Sequence, residues 1–288
     1  MKPGLGFALV KNKVAVVSID DEIDSPDRIV RVLNHYRDNV PGVGAVVLSI
    51  NSPGGGVAAA QEICEAVQGL KDSDIAVVAA LGSVAASGGY YVACPADRIV
   101  ADAGTLTGSI GVIMETMNAQ KILDKIGLQF EVVKSGEFKD SGGFSKAMTS
   151  REKAVFQGVI DDVYSQFVDV VVVEREDALR TSLAKLKKIP EKQIDLAEIR
   201  AYVKSFSDGR IFSGRKAMEL GLVDELGGLD RAIDVAADIA GIDDPQVVTY
   251  RESRPFAQWI TGISRADIRG WFRQQLGARG RRIGYFAW

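Results

Sequence analysis

Three short apolar runs, rich in β-branched residues, constrain the fold of this chain more than any other feature of its sequence. They are Val14–Ile19, Ala45–Ile50 and Ile75–Leu81. Uninterrupted runs of this length are typical of strands that are buried on both faces, as the strands of a parallel sheet are. Predicted helices at 25–36 and 56–70 separate the runs. This alternation predicts an α/β fold with a mainly parallel sheet.

The rest of the chain continues the pattern and ends in a segment of different composition. We expect further strands at Arg98–Ala101, Ser109–Ile113 and Gln129–Val133, and helices at 117–126, 149–176 and 229–240. The spacing of Thr149 and Glu152 predicts a capping box at the start of the second of these helices. A charged helical region at 183–206 is interrupted by Pro190. We assign residues 7–245 to one domain followed by a tail, 246–288. Residues 251–288 hold all three tryptophans and eight arginines against two acidic residues, a net charge of +6, whereas the whole chain carries −3.

The chain contains a single histidine, His35, which lies in the first predicted helix. A Ser-His-Asp triad would have to use it, and a zinc site built from several histidines is impossible. The two cysteines, Cys64 and Cys94, do not have the spacing of a metal site. We therefore expect no metal or cofactor, and a hydrolase of this sequence would need a base other than histidine.

A glycine-rich loop, Asn51–Gly56 (NSPGGG), directly follows the second apolar run and precedes a helix. Three consecutive glycines can adopt backbone conformations closed to other residues, so their N–H groups can converge on one point. Such a loop suits an oxyanion hole, a phosphate or simply a tight strand-to-helix turn. A phosphate-binding P-loop does not fit, because no Gly-Lys-Ser/Thr follows.

A second segment of small residues, Gly82–Tyr91 (GSVAASGGYY), follows the third apolar run and contains Ser87. A serine at the start of a helix is usually only a cap. Here a Gly-Gly pair after Ser87 leaves space for a substrate backbone, and the helix dipole would favour negative charge developing at this position. Ser87 is therefore a candidate nucleophile.

A third segment, Lys134–Ser141 (KSGEFKDS), contains Lys139, the candidate base. A lysine is usually a solvated surface charge. A lysine that acts as a base must be desolvated, because burial disfavours the ammonium form and can lower a lysine pKa from ~10.4 towards neutrality. Such an amine could take the proton of a serine hydroxyl and return it to a leaving amine.

Together these segments resemble the signal peptide peptidase A family of Ser/Lys serine peptidases. Members share the ClpP/crotonase fold of repeated ββα and βαβ units. Two further motifs carry the resemblance, TGSIGV at 107–112 and GRIFSGRKAMELGLVDELGG at 209–228, and it extends over about 10–240. The resemblance implies that Ser87 is the nucleophile and Lys139 the general base.

The resemblance also assigns roles to three further residues and to a partner chain. It implies that Ser109 helps to orient the lysine and that the backbone N–H groups of Gly54 and Gly88 form the oxyanion hole. It implies a homo-oligomer, a ring or dome, whose neighbouring subunits supply the serine and the lysine of one site. The implied substrates are extended hydrophobic peptides, such as remnants of signal peptides and membrane proteins; no nucleic acid partner is expected.

The relation of the chain to membranes is open at this point. Family members usually carry an N-terminal anchor and lie outside the cytoplasm, whereas this sequence shows no signal or anchor, so we expect a cytoplasmic or peripherally membrane-associated protein. The basic, aromatic tail suits a membrane surface or a subunit-packing arm. A third hypothesis is that Ile283–Trp288 enters an active-site groove as a peptide product would.

Two other functions are compatible with the fold. A crotonase-type acyl-CoA enzyme would also use a glycine-rich oxyanion loop, but it normally needs a glutamate where this chain has Ser87 and small residues. A non-catalytic, membrane-associated scaffold would not require Ser87, Lys139 and Ser109 together. Labelling by a serine-directed phosphonate distinguishes the peptidase from both.

Overall fold

A computed structural model describes residues 11–250 of the chain. This part forms two compact units. The larger unit consists of residues 11–112 and 161–250, and the smaller unit of residues 113–160. The helix Ser150–Glu174 contains residues of both.

Within the described residues, the larger unit contains an eight-stranded sheet. Its strands are β1 (Lys13–Asp20), β2 (Val43–Ser52), β3 (Ala76–Ala86), β4 (Arg98–Ala101), β5 (Leu106–Gly108), β6 (Ile211–Ser213), β7 (Glu225–Leu226) and β8 (Gln246–Thr249). The main path runs β6-β5-β3-β2-β1-β8, and β4 pairs with both β3 and β7. Every pair is parallel except β5 with β6.

The helices of the larger unit cover both faces of this sheet. They are α1 (Asp27–Asn39), α2 (Val57–Lys71), α3 (Gly88–Ala93), α5 (Ser150–Glu174, in part), α6 (Glu176–Lys187), α7 (Leu196–Lys204), α8 (Gly214–Leu220) and α9 (Leu229–Ala240), with a 3₁₀ turn at Glu191–Gln193. The smaller unit holds α4 (Gln120–Ile126) and the first part of α5.

Alternate residues of the central strands enter two separate cores. In β2, Val46, Leu48 and Ile50 belong to a large core that α1, α2, α3, α5, α6 and α7 also line. Ala45 and Val47 point to the other face, where α9 supplies most of the helical side chains. Burial on both faces explains why the strand sequences are continuously apolar. The α/β architecture with a mainly parallel sheet confirms the predicted fold class.

The long strand β3 changes its partner half-way along. Its first half pairs with β2 on one side and with β4 on the other, from Val78 opposite Arg98. Its last residues pair with β5 instead, and Ala86 lies opposite Gly108. The end of β3 is therefore held by a second, smaller set of strands, and it delivers the chain directly to Ser87.

Two predicted strands are wrong. The strand expected at Ser109–Ile113 lies earlier, at Leu106–Gly108, because Gly108 (φ 80°) and Ser109 (φ 51°) are both left-handed and cannot continue a strand. The segment Gln129–Val133 forms no strand. Among residues 11–250, no strand pairs with this segment, and the Val133 side chain is fully exposed.

The sheet continues past the predicted domain boundary at 245, since β8 (Gln246–Thr249) pairs with β1. The rest of the predicted tail, 251–288, lies outside the described residues, so its assignment stays a prediction. Across residues 11–250, no helix is both long enough and apolar enough to cross a membrane.

Candidate active site

Ser87 occupies the junction between β3 and α3 in an unusual backbone conformation. Its φ is 53° and its ψ is −123°, a region that non-glycine residues rarely adopt. Two backbone hydrogen bonds hold it there: the Ser87 N–H donates to the Gly108 carbonyl (2.9 Å), and the Ser87 carbonyl accepts from the Tyr91 N–H (2.9 Å). The strand pairing of β3 and β5 therefore fixes the position of this serine.

The Ser87 hydroxyl does not cap the helix that follows. The residue stands at the N-cap position of α3, but its side chain accepts no hydrogen bond from that helix. It is half-buried. The ordinary explanation for a serine at this position thus does not apply, and the hydroxyl is left for another role.

The two glycine segments predicted to flank the nucleophile are in contact. Gly54 has a φ of 104°, and a Cβ atom on it would lie 2.6 Å from the Gly88 nitrogen and 2.8 Å from the Ser87 Cβ. A Cβ on Gly88 would lie 3.2 Å from the Gly55 nitrogen. No side chain fits at Gly54, because the loop backbone packs directly against the residues around Ser87.

The N–H groups expected to form the oxyanion hole have different surroundings. The Gly54 N–H donates to the hydroxyl of Ser52 (3.1 Å), a fully buried side chain. Gly88 is the first residue of α3, where an N–H has no acceptor within its own helix. Gly54 is buried, whereas the next residue of the loop, Gly55, is exposed. The Gly54 N–H would have to leave Ser52 to bind an oxyanion.

Ser109 follows β5 as Ser87 follows β3. Ala86 and Gly108 lie opposite each other on adjacent parallel strands, and each serine is the residue directly after one of them. Ser109 also has a positive φ, 51°, and its N–H donates to the Arg210 carbonyl (2.9 Å). The carboxyl ends of parallel strands meet at one edge of the sheet, so the structure brings Ser109, Ser87 and the NSPGGG loop to the same place.

Lys139 belongs to the smaller unit, and its side chain is exposed in the single chain. Its neighbours Lys134 and Lys146 are both paired with Asp140, at 2.6 and 2.9 Å. Hydrogen bonds from Lys134 and then Lys146 lower the pKa of Asp140 to about 2. No carboxylate within residues 11–250 forms such an ion pair with the Lys139 amine.

Glu152, in the first turn of α5, ties the Lys139 segment to that helix. Its carboxylate accepts from Lys146 (2.5 Å) and from the Ser141 hydroxyl (3.1 Å). It also accepts from the Thr149 N–H (2.7 Å), while the Glu152 N–H donates to Thr149 Oγ1 (3.2 Å), which completes the predicted capping box. The hydrogen bond from Lys146, followed by that from Thr149, lowers the pKa of Glu152 to about 2.

The sequence of the chain matches that of a known peptidase family over most of its length. Residues 69–194 and 195–243 match the profile of Peptidase family S49, and these ranges include Ser87, Ser109 and Lys139. The chain belongs to peptidase family S49. Membership in this family makes it a serine peptidase and decides against the acyl-CoA enzyme as an alternative.

Three relatives of this S49 peptidase illustrate its place in the family. A protein of Synechocystis sp. that is provisionally named as a protease is 40% identical to this chain, over 88% of this chain and 84% of its own length. A protein of Enterococcus faecium provisionally named signal peptide peptidase SppA is 33% identical over 79% of this chain and 60% of its own. The chloroplastic serine protease SPPA of Arabidopsis thaliana is 32% identical over 73% of this chain and 28% of its own.

Proposed function

We propose that this S49 peptidase cleaves extended hydrophobic peptides with Ser87 as the nucleophile and Lys139 as the general base. Lys139 takes the proton of the Ser87 hydroxyl as the oxygen attacks the scissile carbonyl, and it returns the proton to the leaving amine. Water then hydrolyses the acyl-enzyme in the second half of the cycle. Ser109 orients the lysine, and the N–H groups of Gly54 and Gly88 bind the oxyanion.

The observation that carries this proposal is the backbone of Ser87. A non-glycine residue at φ 53° and ψ −123° costs about 1–3 kcal/mol, a cost that proteins retain mainly at functional sites. In this conformation the hydroxyl does not cap α3, and the backbone of the NSPGGG loop packs against Ser87 and Gly88. A purely structural turn at this position would be more stable with glycine.

We infer that the active enzyme is a homo-oligomer, a ring or dome in which neighbouring subunits share each site. The support is the apolar surface of the smaller unit. None of the side chains of α4 is buried, and the segment around it exposes many large apolar residues. They include Ile113, Met117, Ile122, Ile126, Leu128, Phe130, Val132 and Val133. An oligomer that covers this surface would also desolvate Lys139, as a lysine base requires.

The substrate class and the site of action are part of the same proposal. The Enterococcus faecium relative bears a signal peptide peptidase name, which supports hydrophobic peptides, such as remnants of signal peptides, as substrates. We propose that the basic, aromatic residues of 251–288 bring the enzyme into peripheral contact with a membrane or pack between subunits. Binding of the full chain to anionic vesicles, compared with that of a chain ending at 250, distinguishes the two roles.

Two substitutions test the dyad. We expect Ser87→Ala and Lys139→Ala each to abolish cleavage of an apolar fluorogenic peptide, a loss of at least about 10³-fold in kcat. Ser83→Ala, an exposed serine on the strand that leads to Ser87, and Lys204→Ala, an exposed lysine at the end of α7, are the matched controls and should retain activity. A serine-directed phosphonate should label Ser87 in the wild type. Cleavage that survives either dyad substitution would refute the mechanism.

A further inference from the structure

A small cavity adjoins Ser87 on one side. Its volume is about 30 Å³, and residues of three loops that meet at this edge of the sheet line it. Gly55 comes from the NSPGGG loop, Gly88 follows the nucleophile, and Gly111 and Val112 belong to the TGSIGV motif. The cavity lies within the larger unit. Its position next to the candidate nucleophile makes it accessible to a side chain of a peptide bound there.

The exposure of the lining residues shows where the cavity opens and where it ends. Gly55 and Val57 are exposed and form the mouth. Tyr91 (6% exposed) and Phe167 (5% exposed) are almost completely buried, and their ring centroids lie 5.1 Å apart. These two aromatic rings therefore close the inner end. A cavity of about 30 Å³ holds one or two water molecules, or a group of similar size such as a methyl.

The lining of the cavity carries no charge. Within residues 11–250, eleven residues line it; most are glycine or apolar, the polar ones are Gln61, Ser87 and Tyr91, and none is Asp, Glu, Lys or Arg. Burial raises the pKa of the Tyr91 phenol to about 12, so the ring stays neutral at physiological pH. Its polar partner is the side chain of Gln61, which also donates to Gln166 (3.0 Å). A charged side chain entering this cavity would lose its hydration without gaining a partner.

We propose that this cavity is the specificity pocket of the enzyme and that Phe167, with Tyr91, limits it to small uncharged side chains such as alanine. The proposal rests on the proposed function, because it assumes that Ser87 attacks the peptide bond next to the bound side chain. Phe167 acts by shape. The Phe167 ring fills the inner end of the cavity and takes no part in the chemistry. Shortening this side chain should therefore change which peptides are cleaved rather than whether cleavage occurs.

The test is a set of fluorogenic peptides that differ only in the residue before the scissile bond: Ala, Leu, Phe or Lys. Mass spectrometry of the products verifies the cleaved bond. The wild type should cleave the Ala peptide with a kcat/KM at least about 10-fold above that of the Leu peptide, and should cleave the Phe and Lys peptides least. In Phe167→Ala, the ratio of Leu to Ala cleavage should rise by about 10-fold or more.

The matched control is Phe206→Ala. Phe206 is equally buried (5% exposed), and its ring lies 5.1 Å from a tyrosine, Tyr202, but it does not line the cavity. Phe206→Ala should leave the Leu to Ala ratio unchanged. Val163→Ala, at a half-buried lining position on α5, enlarges the cavity without removing a buried ring and should shift the ratio in the same direction if Phe167→Ala does not fold.

Failure of this inference is distinguishable from failure of the proposed function. If the phosphonate labels Ser87 and the wild type cleaves the peptides, but cleaves Leu as well as Ala, the pocket assignment is wrong and the dyad stands. The same holds if folded cavity variants and Phe206→Ala give the same ratio. If Ser87 is not labelled and no peptide is cleaved, the proposed function fails and the pocket assignment fails with it.

Discussion

Ser87 and Gly54 depend on each other through backbone packing. Ser87 keeps its positive φ because the Gly108 carbonyl and the Tyr91 N–H hold both of its peptide groups. Gly54 keeps its own positive φ at the point where the loop touches the Ser87 Cβ and the Gly88 nitrogen. A side chain on Gly54 would have to displace backbone atoms, which are the least adaptable neighbours a Cβ can meet.

We predict that Gly54→Ala abolishes activity and destabilises the protein. The new Cβ would lie 2.6 Å from the Gly88 nitrogen, so the loop or the residues around Ser87 must move. We expect at least about a 10²-fold loss in kcat, because Gly54 is a proposed oxyanion donor and a small displacement of such a donor is enough to lose its contribution. The left-handed φ adds a strain cost of about 1–3 kcal/mol. Peptide cleavage and urea unfolding measure the two effects.

Gly104→Ala is the control for this substitution. A Cβ on Gly104 would meet no atom within 4 Å, and its φ is not positive. This variant should keep both its activity and its stability. Full activity of Gly54→Ala would show that the close packing of the loop against Ser87 is not required for catalysis.

The first turn of α5 depends on the ionised state of Glu152. The Glu152 carboxylate accepts hydrogen bonds from Lys146, Thr149 and Ser141, and its pKa is about 2 in the folded chain. An unfolded glutamate has a pKa of about 4.3, so the unfolded state binds more protons between these values. The stabilisation is therefore complete above about pH 5 and is lost as the pH falls towards about 2.

We predict that Glu152→Gln lowers stability at neutral pH and weakens its dependence on pH. The variant should unfold at a lower urea concentration than the wild type at about pH 6, and the difference should shrink at about pH 3. Circular dichroism during urea titration measures it. Glu62→Gln, at an exposed position on α2, should match the wild type at both values. An equal deficit of Glu152→Gln at both pH values would contradict the role of its charge.

The sequence predicted the elements whose signal is local. The runs that became β1, β2 and β3 are continuously apolar because both of their faces are buried, and the capping box of Thr149 and Glu152 is a four-residue pattern. The strand predicted at Gln129–Val133 failed because β propensity forms a strand only where a partner is available. The sequence motifs also predicted that Ser87, Ser109, Gly54 and Gly88 belong to one site.

The residues that shape the cavity had no such signal. Val163 and Phe167 lie on α5, far along the chain from Ser87. In the sequence they cannot be distinguished from the apolar residues with which this helix packs against the core. Only the packing of α5 in the larger unit puts them beside Ser87. The hydrogen bond from the Gly54 N–H to the Ser52 hydroxyl could not be predicted from the sequence either, because it depends on the rotamer of Ser52.

The residues of the proposed site are divided between the two units of the chain. Ser87 and Ser109 belong to the larger unit, whereas Lys139 belongs to the smaller unit, which exposes a large apolar surface. Exposed apolar area of this extent is typical of a surface that another protein covers. A second copy of the chain would bring both its own Lys139 and the means to bury this surface.

We predict that two inactive variants restore activity when they are assembled together. Ser87→Ala keeps Lys139, and Lys139→Ala keeps Ser87. If the site is shared as proposed, a mixed oligomer contains sites that combine the intact serine of one subunit with the intact lysine of the next. With random mixing of equal amounts, about a quarter of the sites contain both intact groups, so the mixture should show about a quarter of the wild-type kcat per subunit.

The variants are unfolded together, refolded and assayed on the apolar peptide. A Ser87→Ala, Lys139→Ala double variant refolded with wild type at the same ratio should give a similar value, since it dilutes the intact sites equally. If each site were built within one chain, the two single variants would stay inactive together, and the double variant would leave half of the wild-type activity.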